Sequence, residues 1–187
     1  MNLLTLTRDL APKRPLSLPE ASQLAERQAT KLIHLGQLEG PPVPETLITE
    51  LPGLHVERVR PLAVPGAAGL RGDRWVVLLN ADDARTRQRF SLAHEFKHIL
   101  DHGRAQQLYP ATPLWSPRDR VEAVCNFFAG CLLVPVIWLK RAFREGITEV
   151  RELAQLFEVS QAAMRVRLAQ VGLVERAAGG PGLGGAA

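Results

Sequence analysis

Residues 87–100 read RQRFSLAHEFKHIL. At helical spacing, positions i and i+4 lie one above the other, so His94 and His98 share a face. Two imidazoles placed in this way can reach one zinc ion at about 2.0–2.1 Å, with Glu95 beside them to take a proton from a water that the ion acidifies. With His94 at the origin and about 100° per residue, His98 falls at about 40° and Glu95 at about 100°. Leu92, Ala93, Phe96, Ile99 and Leu100 fall between about 140° and 260°. The apolar back of the helix is opposite its ligand face, so the helix can bury one side and turn its histidines toward a cleft.

A catalytic zinc needs a third protein ligand and one open position. The best candidate is Glu122, 24 residues after His98 in VEAVCNFFAGCLLVP (121–135). That stretch is otherwise nearly all apolar, and burying a bare acid there is costly unless a metal compensates it. Asn126 lies at i+4 on the same face, placed to steady a ligating side chain by a hydrogen bond. Asp119 is the alternative ligand, although it also fits a helix cap begun by Ser116. His102 lies about 12 Å along the axis from His94, with His98 between them, and reads as a helix-end histidine favoured by the dipole. Cys125 and Cys131 read as small buried residues. Tyr109, the sole tyrosine, follows the motif closely and is a candidate oxyanion donor. Packing of the ring beneath a loop is its alternative role.

The surrounding sequence predicts an α+β chain with a three-stranded antiparallel sheet. Residues 1–16 read as a loose arm. Ser17 to Glu20 form a capping box for a helix that Gly36 stops. Residues 40–44 are a turn before a short helix, 54–60 a strand, and 67–80 a hairpin turning at Gly72-Asp73. Trp75, Val76, Val77, Leu78 and Leu79 directly precede the ligand helix and are expected to be the sheet edge on which a substrate segment adds as a strand. Asp82 and Asp83 are expected to cap that helix over 85–102. Further helices run from Ser116 to Pro135, on to Glu145, from Thr148 to Phe157, and from Ser160 to Gln170. The Gly/Ala-rich tail, 175–187, is expected to be disordered.

Composition narrows the class. The chain has 187 residues, 46% hydrophobic and 22% charged, which suits one domain plus a small appendage. No apolar run reaches the roughly 18 residues of a membrane span, and the N-terminus lacks a signal-peptide pattern. Two cysteines six residues apart suit a reducing cytoplasm. The net charge of +4 is spread thinly, so nucleic acid is not demanded as a partner. Arg165 and Arg167 in the last helix raise a DNA-binding reading for residues 148–174. Residues 147–187 are nonetheless net neutral, which favours a packing or partner-docking pair over direct DNA binding.

The segment 87–100 resembles the active-site helix of the ImmA/IrrE family of metallopeptidases. The segment 121–135 is similar to that family's Glu-x-x-x-Asn-x-Phe-Ala stretch and its following Leu-Leu-x-Pro. VPETLITELPGLHV (43–56), GLRGDRWVVLLN (69–80) and ELAQLFEVSQAAMRVRLAQVGLV (152–174) also fit, so the resemblance spans roughly residues 17–174. It implies a compact zincin over 17–146, with a helix-turn-helix-like segment at 147–174. It further implies zinc on His94, His98 and Glu122, and Glu95 as base; manganese would also suit the site. The implied activity is endoproteolysis of an XRE-type helix-turn-helix repressor, relieving repression of stress-response or mobile-element genes. The competing expectation is a DNA-binding or protein-docking regulator with a catalytically silent zinc. Two positions depart from the family pattern. Lys97 replaces the usual glycine before the second histidine and is expected to alter the cleft. Val124 stands where a second acid is common. The Gly-rich tail suggests the shorter architecture, without the sensor-like domain of radiation-response members.

Overall fold

The computed structural model describes residues 3–173; the Gly/Ala-rich tail at 175–187 lies outside them. The described residues form nine helices and a three-stranded sheet. Helices α1 (Leu3–Arg8), α2 (Leu18–Leu35) and α3 (Thr46–Thr49) precede the strands β1 (Leu54–Val59), β2 (Gly66–Arg71) and β3 (Arg74–Asn80). Helices α4 (Arg85–Asp101), α5 (Ala105–Leu108), α6 (Pro117–Leu133), α7 (Val136–Arg144), α8 (Val150–Leu156) and α9 (Gln161–Gln170) follow.

Serine caps set three of the helix starts among the described residues. Ser17 accepts from the Glu20 backbone N–H while the Glu20 carboxylate accepts from the Ser17 backbone, a reciprocal capping box. Ser116 and Ser160 accept from the backbone N–H groups of Asp119 and Ala163. Helix α4 departs from expectation. Its N-cap is Ala84, and Asp83 instead pairs with Arg87 one turn on.

The sheet is mixed rather than antiparallel. Its order is β1-β3-β2, with β1 parallel and β2 antiparallel to β3. The β2–β3 hairpin turns at Gly72, whose φ of 62° is the left-handed conformation such a turn needs. β1 and β3 flank no common turn, so they are free to run in the same direction. Trp75 to Leu79 therefore lie in the central strand, not at an edge. The physical reason is visible in the strand itself. Val76, Val77 and Leu79 are buried, and β3 pairs with β1 along one side and with β2 along the other, so its backbone groups are taken up on both sides. The edge beside α4 is β2, a Gly/Ala-rich strand that is half exposed.

Helix α4 packs against β2 and β3 on one side and against α6 on the other, with α2 alongside α6. Leu92, Ala93, Phe96, Ile99 and Leu100 face this core, as the wheel predicts. The N-terminal segment differs from a loose arm. α1 forms, Thr7 is buried, and the Thr7 carbonyl accepts from Gln28 of α2. Arg8 and Arg104 exchange further bonds with the chain around α4, reaching the carbonyls of His102 and Arg8 respectively. Among the described residues, no single helix is long and apolar enough to cross a membrane.

Candidate metal centre and active site

α4 and α6 run antiparallel, and the side-chain pairs between them fix the register. His94 meets Asn126, and His98 meets Glu122. The Nε2 atoms of His94 and His98 lie 3.1 Å apart. The Glu122 carboxylate closes the triangle, at 3.2 Å from His94 Nε2 and 3.5 Å from His98 Nε2. Three donors about 2.1 Å from a common tetrahedral ion would stand about 3.4 Å apart, so this set fits zinc without rearrangement. The side chains also have the required chemistry. Asn126 Oδ1 lies 2.9 Å from His94 Nδ1. An amide oxygen only accepts, so Nδ1 carries the proton and Nε2 presents its lone pair. Burial and the neighbouring His94 lower the pKa of His98, which favours the neutral, ligating imidazole.

Glu95 stands on the adjoining face. Burial first, and the nearby Glu122 charge second, push its carboxyl up to about 7, against a hydrogen bond from the backbone of Ala68 that lowers it. Gly66 makes this approach possible. A Cβ at residue 66 would meet Glu95 Cγ at 3.1 Å and the Leu78 carbonyl at 3.4 Å. The edge strand β2 thus cradles the acid through two residues with little or no side chain.

The remaining candidates are placed differently. Tyr109 is wholly buried and donates to Asp101 at 2.8 Å, so it does not reach the cleft. Its hydroxyl is engaged with Asp101 and Lys97, which corrects its reading as an oxyanion donor. Lys97 also points away from the cleft. Its ammonium lies 2.6 Å from Asp101 and donates to Gln28 at 2.7 Å and to Tyr109 at 3.2 Å, with the Phe128 ring 5.9 Å away. The position lies at the border of the polar and apolar faces, and this buried acid, amide and hydroxyl draw it inward. Asp119 bonds Ser116 in the cap of α6. His102 stacks edge-on against Trp75, with centroids 4.8 Å apart. Cys125 lies behind the histidines, its sulfur within 4.8 Å of their ligating atoms. Burial raises its thiol pKa in the metal-free chain, and its position makes it a further group that could reach an ion held by the two histidines.

The three converging groups sit midway along a cleft of about 1710 Å³. That exceeds the roughly 300–1,000 Å³ of ordinary small-molecule pockets and suits a stretch of polymer. Sequence reasoning missed one of its walls. α9 lines the cleft through Ala163, Val166 and Gln170, and its Arg167 lies buried in the same wall. Arg167 donates to the Val134 carbonyl at 3.1 Å, pairs with Glu26 at 3.3 Å, and lies over the Phe127 ring. One of the two arginines that raised the DNA reading is therefore engaged inside the protein. The signal available in the sequence was the i, i+3, i+4 spacing of Ala163, Val166 and Arg167, which no local rule assigns to a particular neighbour.

The family model described as Peptidase_M78, IrrE N-terminal-like domain, matches residues 53–169, from the start of β1 almost to the end of α9. Among curated proteins, none matches the chain.

Proposed function

The chain belongs to the Peptidase_M78 (IrrE N-terminal-like) family of metallopeptidases, and from that premise we propose that it is a zinc-dependent endopeptidase of the HExxH…Glu type. The observation that carries this reading is the convergence of His94, His98 and Glu122 within 3.5 Å of one another. A zinc ion bound there would polarise a peptide carbonyl and acidify water. Glu95 would accept the proton of the attacking water at a carboxylate oxygen and pass it to the leaving amine. Burial raises the Glu95 carboxyl pKa in the metal-free chain, and the charge of a bound ion would oppose that rise and favour the carboxylate that accepts the proton. Asn126 would hold His94 in the ligating tautomer. The substrate would be an extended segment added to the free edge of β2, the strand beside Glu95.

The proposed substrate is an XRE-type helix-turn-helix repressor, cut in the cytoplasm to relieve repression. The test is incubation of the full chain with the helix-turn-helix repressor encoded nearest to it, with and without a chelator. Glu95→Gln should retain metal and lose about 10²–10⁴-fold in cleavage rate. Metal-independent cleavage, or full activity of Glu95→Gln, would overturn the mechanism. Stoichiometric zinc with no cleavage of any protein would favour a silent, docking role.

A further inference from the structure

The two ends of the cleft differ in chemistry, and the α4–α6 register locates them. Asn126 faces His94 and Glu122 faces His98. Continuing one turn in each direction brings Arg118 opposite His102 at one end, and Phe127 and Gly130 opposite Phe90 at the other. All five line the same cleft. At the Phe90 end the wall is apolar: Phe90, Phe127, Ala163, Val166 and Val64 face it. Val166 and Val64 are 58% and 46% exposed, so aliphatic surface is open to a bound segment at this end. The cations at that end are neutralised, Arg87 by Asp83 and Arg167 by Glu26. Arg118 at the opposite end is exposed, and among the described residues it has neither an ion pair nor a hydrogen bond. It stands one helical turn before Glu122, on the same face.

We propose that this cleft selects peptide segments carrying an acidic side chain on the Arg118 side of the scissile bond and a bulky aliphatic one on the Val166 side. The inference rests on the peptidase reading above and extends it to substrate chemistry. The direction of β2 orients the segment. The Pro65 carbonyl, at the entry to β2, accepts from the Asn80 N–H at 3.0 Å, and Asn80 leads within five residues into the N-terminal end of α4, the Phe90 end of the cleft. Leu70 near the end of β2 pairs with Trp75, which stacks on His102. β2 therefore runs from the apolar end toward Arg118. A strand added antiparallel to it runs the other way, so the acid precedes the scissile bond and the aliphatic residue follows it.

The test uses zinc-loaded full-length Glu95→Gln, which should bind without cutting, and two fluorescent decapeptides. One carries Glu two residues before a central Leu; its twin carries Lys in place of Glu. Anisotropy should show the Glu peptide binding about fivefold more tightly, the effect of one solvent-exposed ion pair. Arg118→Glu should reverse the order, and Val166→Asp should weaken both peptides. Equal affinities, no binding by either peptide, or an unchanged order in Arg118→Glu overturns the proposal. If the Glu peptide binds preferentially but the parent enzyme cuts neither peptide nor protein, the peptidase reading fails while the selectivity stands.

Discussion

Glu95 has the most consequential environment of any single residue. Its carboxyl is pushed up to about 7 mainly by burial, so the metal-free folded chain holds this proton more tightly than the unfolded chain does. Linkage then gives the sign. Between about pH 4.5 and 7 the folded state binds more protons, so its stability falls as pH rises through that window. His98, whose pKa is lowered, contributes with the opposite sign, so the Glu95 share should appear in thermal melts of the metal-free chain as the difference between the parent and Glu95→Gln across this window. Asn126→Ala frees His94 Nδ1 from its partner and should weaken zinc binding about 10–100-fold, read by competition with a chromogenic chelator. The identities of His94, Glu95, His98, Glu122 and Asn126 were all legible from spacing. Each pair depends on one turn of one helix, and the apolar composition of α6 marks Glu122 as the exception. The roles of Lys97 and Tyr109 were not legible, because both depend on Gln28 and Asp101 being gathered around them from different parts of the fold.

At the scale of elements, the sheet edge matters most. β2 presents Gly66 and Ala68 to Glu95, and the lack of bulk there is what allows the close approach. Gly66→Val should displace the Glu95 carboxylate and reduce kcat roughly tenfold or more, with zinc content unchanged by metal analysis. α9 is the second functional element. Arg167 fastens it to the C-terminal end of α6 through the Val134 carbonyl. Arg167→Ala strands that carbonyl and should cost about 1–3 kcal/mol in urea unfolding. The existence of nearly every helix could be read from serine caps, prolines and glycine stops, because these act within a few residues. Strand order could not. The apolar run Trp75–Leu79 says that both faces are covered, but the identity of its two neighbours depends on how the chain returns after β1.

At the scale of the whole molecule, a buried polar network joins the N-terminal helices to the active-site helix. Lys97 of α4, paired with Asp101, donates to Gln28 of α2, which in turn donates to the Thr7 carbonyl of α1, and Tyr109 closes the group by donating to Asp101. Burial lowers the Lys97 pKa while the Asp101 charge raises it, and the 2.6 Å contact keeps the two as a pair. Lys97→Ala would leave Asp101 buried without its cation, with only the Tyr109 hydroxyl donating to it, costing about 3–5 kcal/mol in denaturant unfolding. Replacing both by apolar residues of similar volume should recover most of that loss. Removing α1 should destabilise the same network, an expectation absent from any reading of residues 1–16 as a loose arm. The sequence by itself placed the candidate residues His94, Glu95, His98 and Glu122 at helical spacing and set the starts of α2, α6 and α9. These follow from periodicity and capping, whose range is a few residues. Only the tertiary structure decided that the sheet is mixed, that β2 is the edge beside Glu95, that Lys97 turns inward, and that α9 walls the cleft. Each of those outcomes is a choice among distant partners, settled by which packing buries the apolar faces while pairing buried cations such as Lys97, Arg89 and Arg167 with acids.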